Sequence, residues 1–108
     1  MTFDTAAGIL KGIEASRLGD LRDALFAQAV RYARIRTDWF LADAEAHGGM
    51  DRARTAAHDC LIDDCNILSR NMAKAGEDIR WREALGTDRK EIGDFACHLH
   101  AILGLRAR

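Results

Sequence analysis

Proline is absent from the 108 residues, against an average usage near ~5%, so nothing in the chain forces a helix to break from within. No apolar run approaches the roughly 20 residues needed to cross a bilayer. The opening MTFDTAAGILKG has neither the basic start nor the long apolar middle of a secretory signal. β-branched residues are sparse and clean two-residue alternation is missing, which argues against a sheet. Net charge is only −1, from 16 basic and 17 acidic residues, so no global field draws the chain to nucleic acid or acidic membranes. The three cysteines, an odd number without an export signal, fit a reduced cytoplasmic protein better than a disulfide scaffold.

What is present is 48% apolar and 31% charged residues, too hydrophobic and too balanced in charge for disorder. At 12.0 kDa folding buries roughly 65% of the unfolded surface, enough for one modest core. With no proline, glycines punctuate: Gly19, Gly48–Gly49, Gly76 and Gly86 divide the chain into helix-sized pieces. Asp4, Asp20, Asp51, Asp78 and Asp88 are placed to cap them, and Glu91 three residues after Asp88 makes an aspartate version of the capping box. The reading is a single all-α domain over residues 1–108, an up-and-down bundle of four main helices near 4–17, 20–46, 52–75 and 88–105. A short helical connector near 79–85 precedes the last helix. No internal repeat or interdomain linker is visible.

Spacing residues at 100° per position shows what each helix buries. The third helix carries one narrow stripe of Ala57, Leu61, Cys65, Leu68 and Met72, with Asp59, Asp63, Asn66 and Arg70 opposite in water. The last carries Ile92, Phe95, Ala96, Leu99, Ile102 and Leu103. The second helix differs. Leu21, Leu25, Tyr32, Ile35 and Trp39 form one face, and Phe26, Ala29, Val30, Ala33, Phe40, Leu41 and Ala44 form an adjacent one. That arc is roughly twice the width of an ordinary amphipathic face. Either the first helix covers the excess or another chain does. The first helix is short and weakened by Gly8 and Gly12, at roughly 1 kcal/mol each, so a homodimer through the second helix is expected. Its interface would draw on Phe26, Val30, Ala33, Phe40 and Leu41, with Trp81 and Arg82 of the connector as an anchor pair.

Candidate chemistry is thin. His98 and His100 project about 200° apart on a helix and cannot share an ion. Asp94 and His98 do share a face, with Glu91 nearby, and are the candidate metal ligands, although the Glu-x-x-His pattern of carboxylate bundles is missing. Cys60 and Cys65 diverge by about 140°, Cys65 reads as core, and Cys97 falls on the outer face of the last helix. Asp64 and Asn71, on the margin of the third helix's stripe, call for partners such as Arg82, Arg89 or an indole and are expected to form a structural polar network. Arg52 and His58, with five residues between them, match the loose Arg-x(4–6)-His spacing of helical HEPN ribonucleases. With 13 arginines and four histidines about one such match arises by chance. Arg31, Arg34 and Arg36 beside Tyr32 and Trp39 offer a nucleic-acid alternative, but they form no single stripe, and Asp23, Asp38 and Glu45 share their side.

The segments AHDCLIDDCNILSRNMAKAGEDIRW and REALGTDRKEIGDFACHLHAILGLRAR resemble a family of small uncharacterised bacterial proteins. Its members occur in anaerobic Gram-positive lineages, often near mobile or conjugative elements. The likeness covers about residues 52–108 and rests on Trp81-Arg82, Leu85-Gly86, Asp88-Arg89-Lys90 and Ile92-Gly93-Asp94-Phe95-Ala96. It implies a helical fold and lends no catalytic residues. The expectation is therefore a small cytosolic interaction or accessory protein without intrinsic catalysis or cofactor, with HEPN-like RNA cleavage by Arg52 and His58 as the enzymatic alternative.

Overall fold

Five helices follow one another through residues 1–107, the part of the chain that the computed structural model describes: α1 (Phe3–Glu14), α2 (Gly19–Leu41), α3 (Ala44–Lys74), α4 (Arg80–Leu85) and α5 (Arg89–Arg106). Among the described residues there is no strand, and no helix is long and apolar enough to cross a membrane. The architecture is the expected one, four main helices with α4 as the connector before the last. Some boundaries are not. Thr2, rather than Asp4, caps α1 by accepting the Thr5 amide at 3.1 Å. Asp88 caps α5 as anticipated, taking the Glu91 amide at 3.1 Å. At the end of α3, Gly76 adopts φ 75°, so that the Glu77 amide reaches the Met72 carbonyl at 2.8 Å and the Gly76 amide that of Ala73 at 3.1 Å. That left-handed closure is accessible to glycine at little cost.

The break between the second and third helices falls at Ala42–Asp43, both extended, and not at Gly48–Gly49, which lie inside α3. Side chains around Trp39 override the two glycines. Its indole Nε1 donates to Asp51 at 2.7 Å and the His47 ring stacks on it at 4.0 Å. The Arg54 guanidinium covers it at 4.2 Å, and His47 Nε2 lies 2.8 Å from the Trp39 carbonyl. Three residues spaced along about two turns of α3 thus grip the end of α2, holding Gly48 and Gly49 helical despite a propensity penalty of about 1 kcal/mol each. The resulting 31-residue α3 spans about 46 Å at 1.5 Å per residue, and sets the long dimension of a 48 × 29 × 23 Å molecule.

The wide apolar arc of α2 is divided between two neighbours. α2 lies along both α3 and α5, whereas α1 packs mainly on α4 and α5. Ala33 is buried, and Leu25, Ala29 and Tyr32 are buried in one core with Leu61, Leu68, Phe95 and Leu99. Close approach of α5 needs Gly93, where a Cβ would stand 2.8 Å from the Tyr32 hydroxyl. Likewise α4 settles on α1 at Gly12, where a Cβ would meet the Trp81 Cβ at 2.7 Å. A carboxylate closes the remaining corner: Glu77 accepts the buried Ser16 hydroxyl and the Arg17 amide, each at 2.8 Å, fixing the α1–α2 bend to the end of α3.

Candidate functional site

Two surfaces concentrate chemistry. The first is the outer side of α2, turned away from α3 and α5. Phe26, Val30 and Ile35 are half-buried there against the margin of the core, and with Ala27, Arg31 and Arg34 they line a shallow groove. Leu41, 80% exposed, extends the apolar side toward the elbow. Asp23 and Arg34 project within about 20° of each other around the helix and both are exposed.

The second is a cleft of about 240 Å³ where α2, α3 and the first turn of α5 meet, with Tyr32, Arg36, Arg54, His58, Arg89 and Lys90 in its walls and Phe40 at its edge. No carboxylate lines it. Arg36 is anchored from outside, its Nη2 2.9 Å from Asp94. Burial works against that guanidinium's charge, but the Asp94 hydrogen bond together with the charge interactions with Cys97, Tyr32 and Asp94 outweighs it and its pKa rises. Arg54 leans toward Asp51 at 3.8 Å and Arg89 toward Asp59 at 3.1 Å. Burial pushes the Tyr32 phenol up, partly offset by Arg36 and Arg54. The His58 ring meets Tyr32 edge-on at 5.3 Å between centroids, and its Nε2 sits 2.8 Å from the Arg89 carbonyl. A carbonyl can only accept, so Nε2 carries the hydrogen. In the neutral ring Nδ1 is then an acceptor, and it is buried with no partner.

Several sequence-level expectations need correction. Ala33 and Trp81 are buried within the chain's own core and offer nothing to a partner. Ala33 faces the α2–α5 seam, and the Trp81 indole nitrogen points to the Met72 sulfur at 3.3 Å. Arg82 is half-buried and spent internally, on Asn66 Oδ1 at 3.0 Å and the Gly86 carbonyl at 2.7 Å. Asn66, expected in water, is thus the partner that locks α4 to α3. Phe40 is 62% exposed but rims the cleft, with the Arg36 guanidinium 5.6 Å from its ring. Only Phe26, Val30 and Leu41 remain on the outer side of α2.

The network of Asp64, Asn71 and Arg89 does not form. Asn71 donates to Ile67 of its own helix at 2.8 Å, Arg89 binds Asp59, and Asp64 stands half-buried with its carboxyl pushed up by burial and then by Asp63. Arg52 and His58 are not brought together: Arg52 is exposed and Arg54 takes its place beside His58 in the cleft. A helix turns by about 240° between positions 52 and 58, which separates them. Asp94 belongs to Arg36, with the terminal ammonium 3.6 Å away, and His98 Nε2 lies 3.2 Å from the Met1 carbonyl oxygen. Among the described residues no group of three or more metal-ligating side chains gathers. Cys97 is half-buried with Arg36 Nη1 3.9 Å from its sulfur, yet burial raises its pKa, the opposite of an activated thiol.

The cleft was not read as a site from the sequence. Its signal was the adjacent Arg89-Lys90 pair in the first turn of a helix, where the macrodipole disfavours cations. Comparison with protein-family models, with curated proteins and with solved structures gives no match.

Proposed function

We propose that this chain is a non-catalytic interaction protein of the reduced cytoplasm that pairs with a second copy of itself through the outer side of α2. The observation that carries the reading is the self-complementarity of that side. Phe26, Ala27 and Val30 form its apolar centre. Asp23 and Arg34 flank it three turns apart, and Arg34 has no ion-pair partner among the described residues. Two copies of α2 laid antiparallel, centred between positions 28 and 29, bring each Asp23 opposite the other's Arg34. A two-fold axis makes that contact twice. The driving force is limited, because α5 already takes Ala33 and α3 takes Tyr32, so the pairing is of the transient kind and not an obligate one. We read this accessory role in the setting of a mobile element, a reading supported only by the resemblance of residues 52–108 to the small bacterial family. RNA cleavage is the weaker reading, since Arg52 and His58 stand on different sides of α3.

Light scattering and native mass spectrometry on Val30→Asp and on Asp23→Arg test the proposal. Both variants are expected to shift the population to monomer, and Asp23→Arg combined with Arg34→Asp to restore the dimer by exchanging the charges. A dimer unaffected by Val30→Asp, or a charge exchange that fails to rescue, refutes this interface.

A further inference from the structure

We infer that the cleft between α2, α3 and α5 binds a phosphate monoester carried on a ring-bearing small molecule. Arg54, Arg89 and Lys90 would hold its anionic oxygens and His58 would accept its remaining hydroxyl hydrogen. Four cations and no acid line the cavity. Three of them have carboxylate partners behind the walls, and each guanidinium has five N–H donors, more than one carboxylate can engage. Lys90 is exposed and has no ion pair among the described residues. Arg89 and Lys90 also occupy the positive end of the α5 dipole, an arrangement that is unfavourable in the absence of an anion and favours one when it is bound.

The second, independent observation is His58. It is only 4% exposed, lines the cleft and leaves Nδ1 unpaired, whereas nearly all buried polar atoms find partners. With the hydrogen fixed on Nε2 by the Arg89 carbonyl, Nδ1 is an acceptor without a donor on a residue that lines this cationic cleft. A phosphate monoester satisfies both demands in its monoanionic form, which prevails below its second ionisation near ~6. A sulfate ester or a carboxylate, fully ionised at neutral pH, satisfies only the second. The cavity is smaller than the ~300 Å³ at which drug-sized pockets begin, so the phosphoryl group enters and its carrier remains at the mouth, where the exposed Phe40 ring offers a stacking surface. The cleft and the outer strip lie on different sides of α2, so each proposal stands or falls alone.

The test is titration of the full chain at about pH 5.5, below the second phosphate ionisation near ~6, and low salt with phenyl phosphate, inorganic phosphate and phenyl sulfate, followed by NMR shifts and calorimetry. Phenyl phosphate is expected to bind saturably, moving His58, Phe40 and the Arg89–Lys90 amides. Inorganic phosphate should bind more weakly for want of the ring. Phenyl sulfate should bind roughly tenfold more weakly for want of one hydrogen bond to a buried acceptor. Lys90→Gln and Arg54→Gln change solvent-accessible side chains and should retain the native spectrum while weakening phenyl phosphate by roughly tenfold each, with Lys90→Arg restoring it. No saturable shift at millimolar phenyl phosphate, equal affinity for phenyl sulfate, or variants that leave affinity unchanged would overturn the inference. Binding of single-stranded RNA at this cleft with no response to either phosphate would overturn it too.

Discussion

Replacing Gly12 by alanine separates local helix propensity from packing, because Gly8, one turn earlier in α1, serves as its control. Alanine is about 1 kcal/mol better than glycine inside a helix. At Gly8 a Cβ meets nothing within 4 Å, so Gly8→Ala should collect that gain. At Gly12 the Cβ would stand 2.7 Å from Trp81 Cβ, 3.2 Å from Cγ and 3.3 Å from Cδ1, where carbons prefer roughly 3.5–4.0 Å. The nearest atom adjoins the α4 backbone, so no rotamer change relieves the overlap and α4 must lift away. Overpacking of this kind costs about 1–3 kcal/mol, and the indole nitrogen's contact with Met72 at 3.3 Å loosens with it. The net for Gly12→Ala is a loss of up to roughly 2 kcal/mol after the propensity gain is subtracted. For a domain of this size that is a fall in Tm of up to about 10 °C, against a rise of about 4–6 °C for Gly8→Ala. Urea and thermal unfolding followed by far-UV circular dichroism give both numbers. Two variants that move in the same direction would refute the reasoning that α4 is seated through Gly12.

Two further predictions concern titration. Burial pushes the Asp94 carboxyl up, but the Arg36 hydrogen bond and charge outweigh it and leave the group below the ordinary range. The Arg17 amide and Ser16 hydroxyl lower Glu77. Both carboxyls bind a proton less readily folded than unfolded. Their contribution is therefore whole above the unfolded values near ~4 and is lost as pH falls through the lower folded ones. Unfolding free energy measured by urea should decline below about pH 4.5, and Asp94→Asn with Glu77→Gln should flatten the decline; an unchanged slope would contradict the assignment. Burial pushes the Cys65 thiol up to about 12, so it should resist iodoacetamide at pH 8 until the chain unfolds. Stability should also fall as pH rises beyond the unfolded thiol's value near ~8.5. Labelling of Cys65 in the folded protein as fast as in urea would show that α3 does not bury it.

The parts of the fold that depend on local pattern were legible in the sequence. The stripe from Ala57 to Met72, the face from Ile92 to Ile102, the Asp88 cap and the connector each follow from residues within a few positions of one another. The elbow was not. Gly48–Gly49 read as a break because single-residue propensity cannot anticipate Trp39 gripping His47, Asp51 and Arg54 from the preceding helix. The surplus apolar arc of α2 was legible in its width and not in how it is covered: periodicity gives the width, but which neighbour covers each part depends on topology, and α5 covers part of it through the close approach that Gly93 permits. For the same reason Ala33 and Trp81 passed as interface candidates although they belong to the core. The cleft needed three elements to converge. Arg36 and Asp94 are far apart in the chain and were read separately, one as a surface cation and the other as a metal ligand, though Asp94 holds from behind the arginine that walls the cleft.

Native mass spectrometry of the unmodified chain and of Val30→Asp, sprayed from volatile buffer across a concentration series, bears most directly on the proposed pairing. A concentration-dependent species at twice 12.0 kDa that the variant abolishes is the expected result. A chain that stays at 12.0 kDa at every concentration would mean that α3 and α5 already satisfy α2, and that its outer side meets only water.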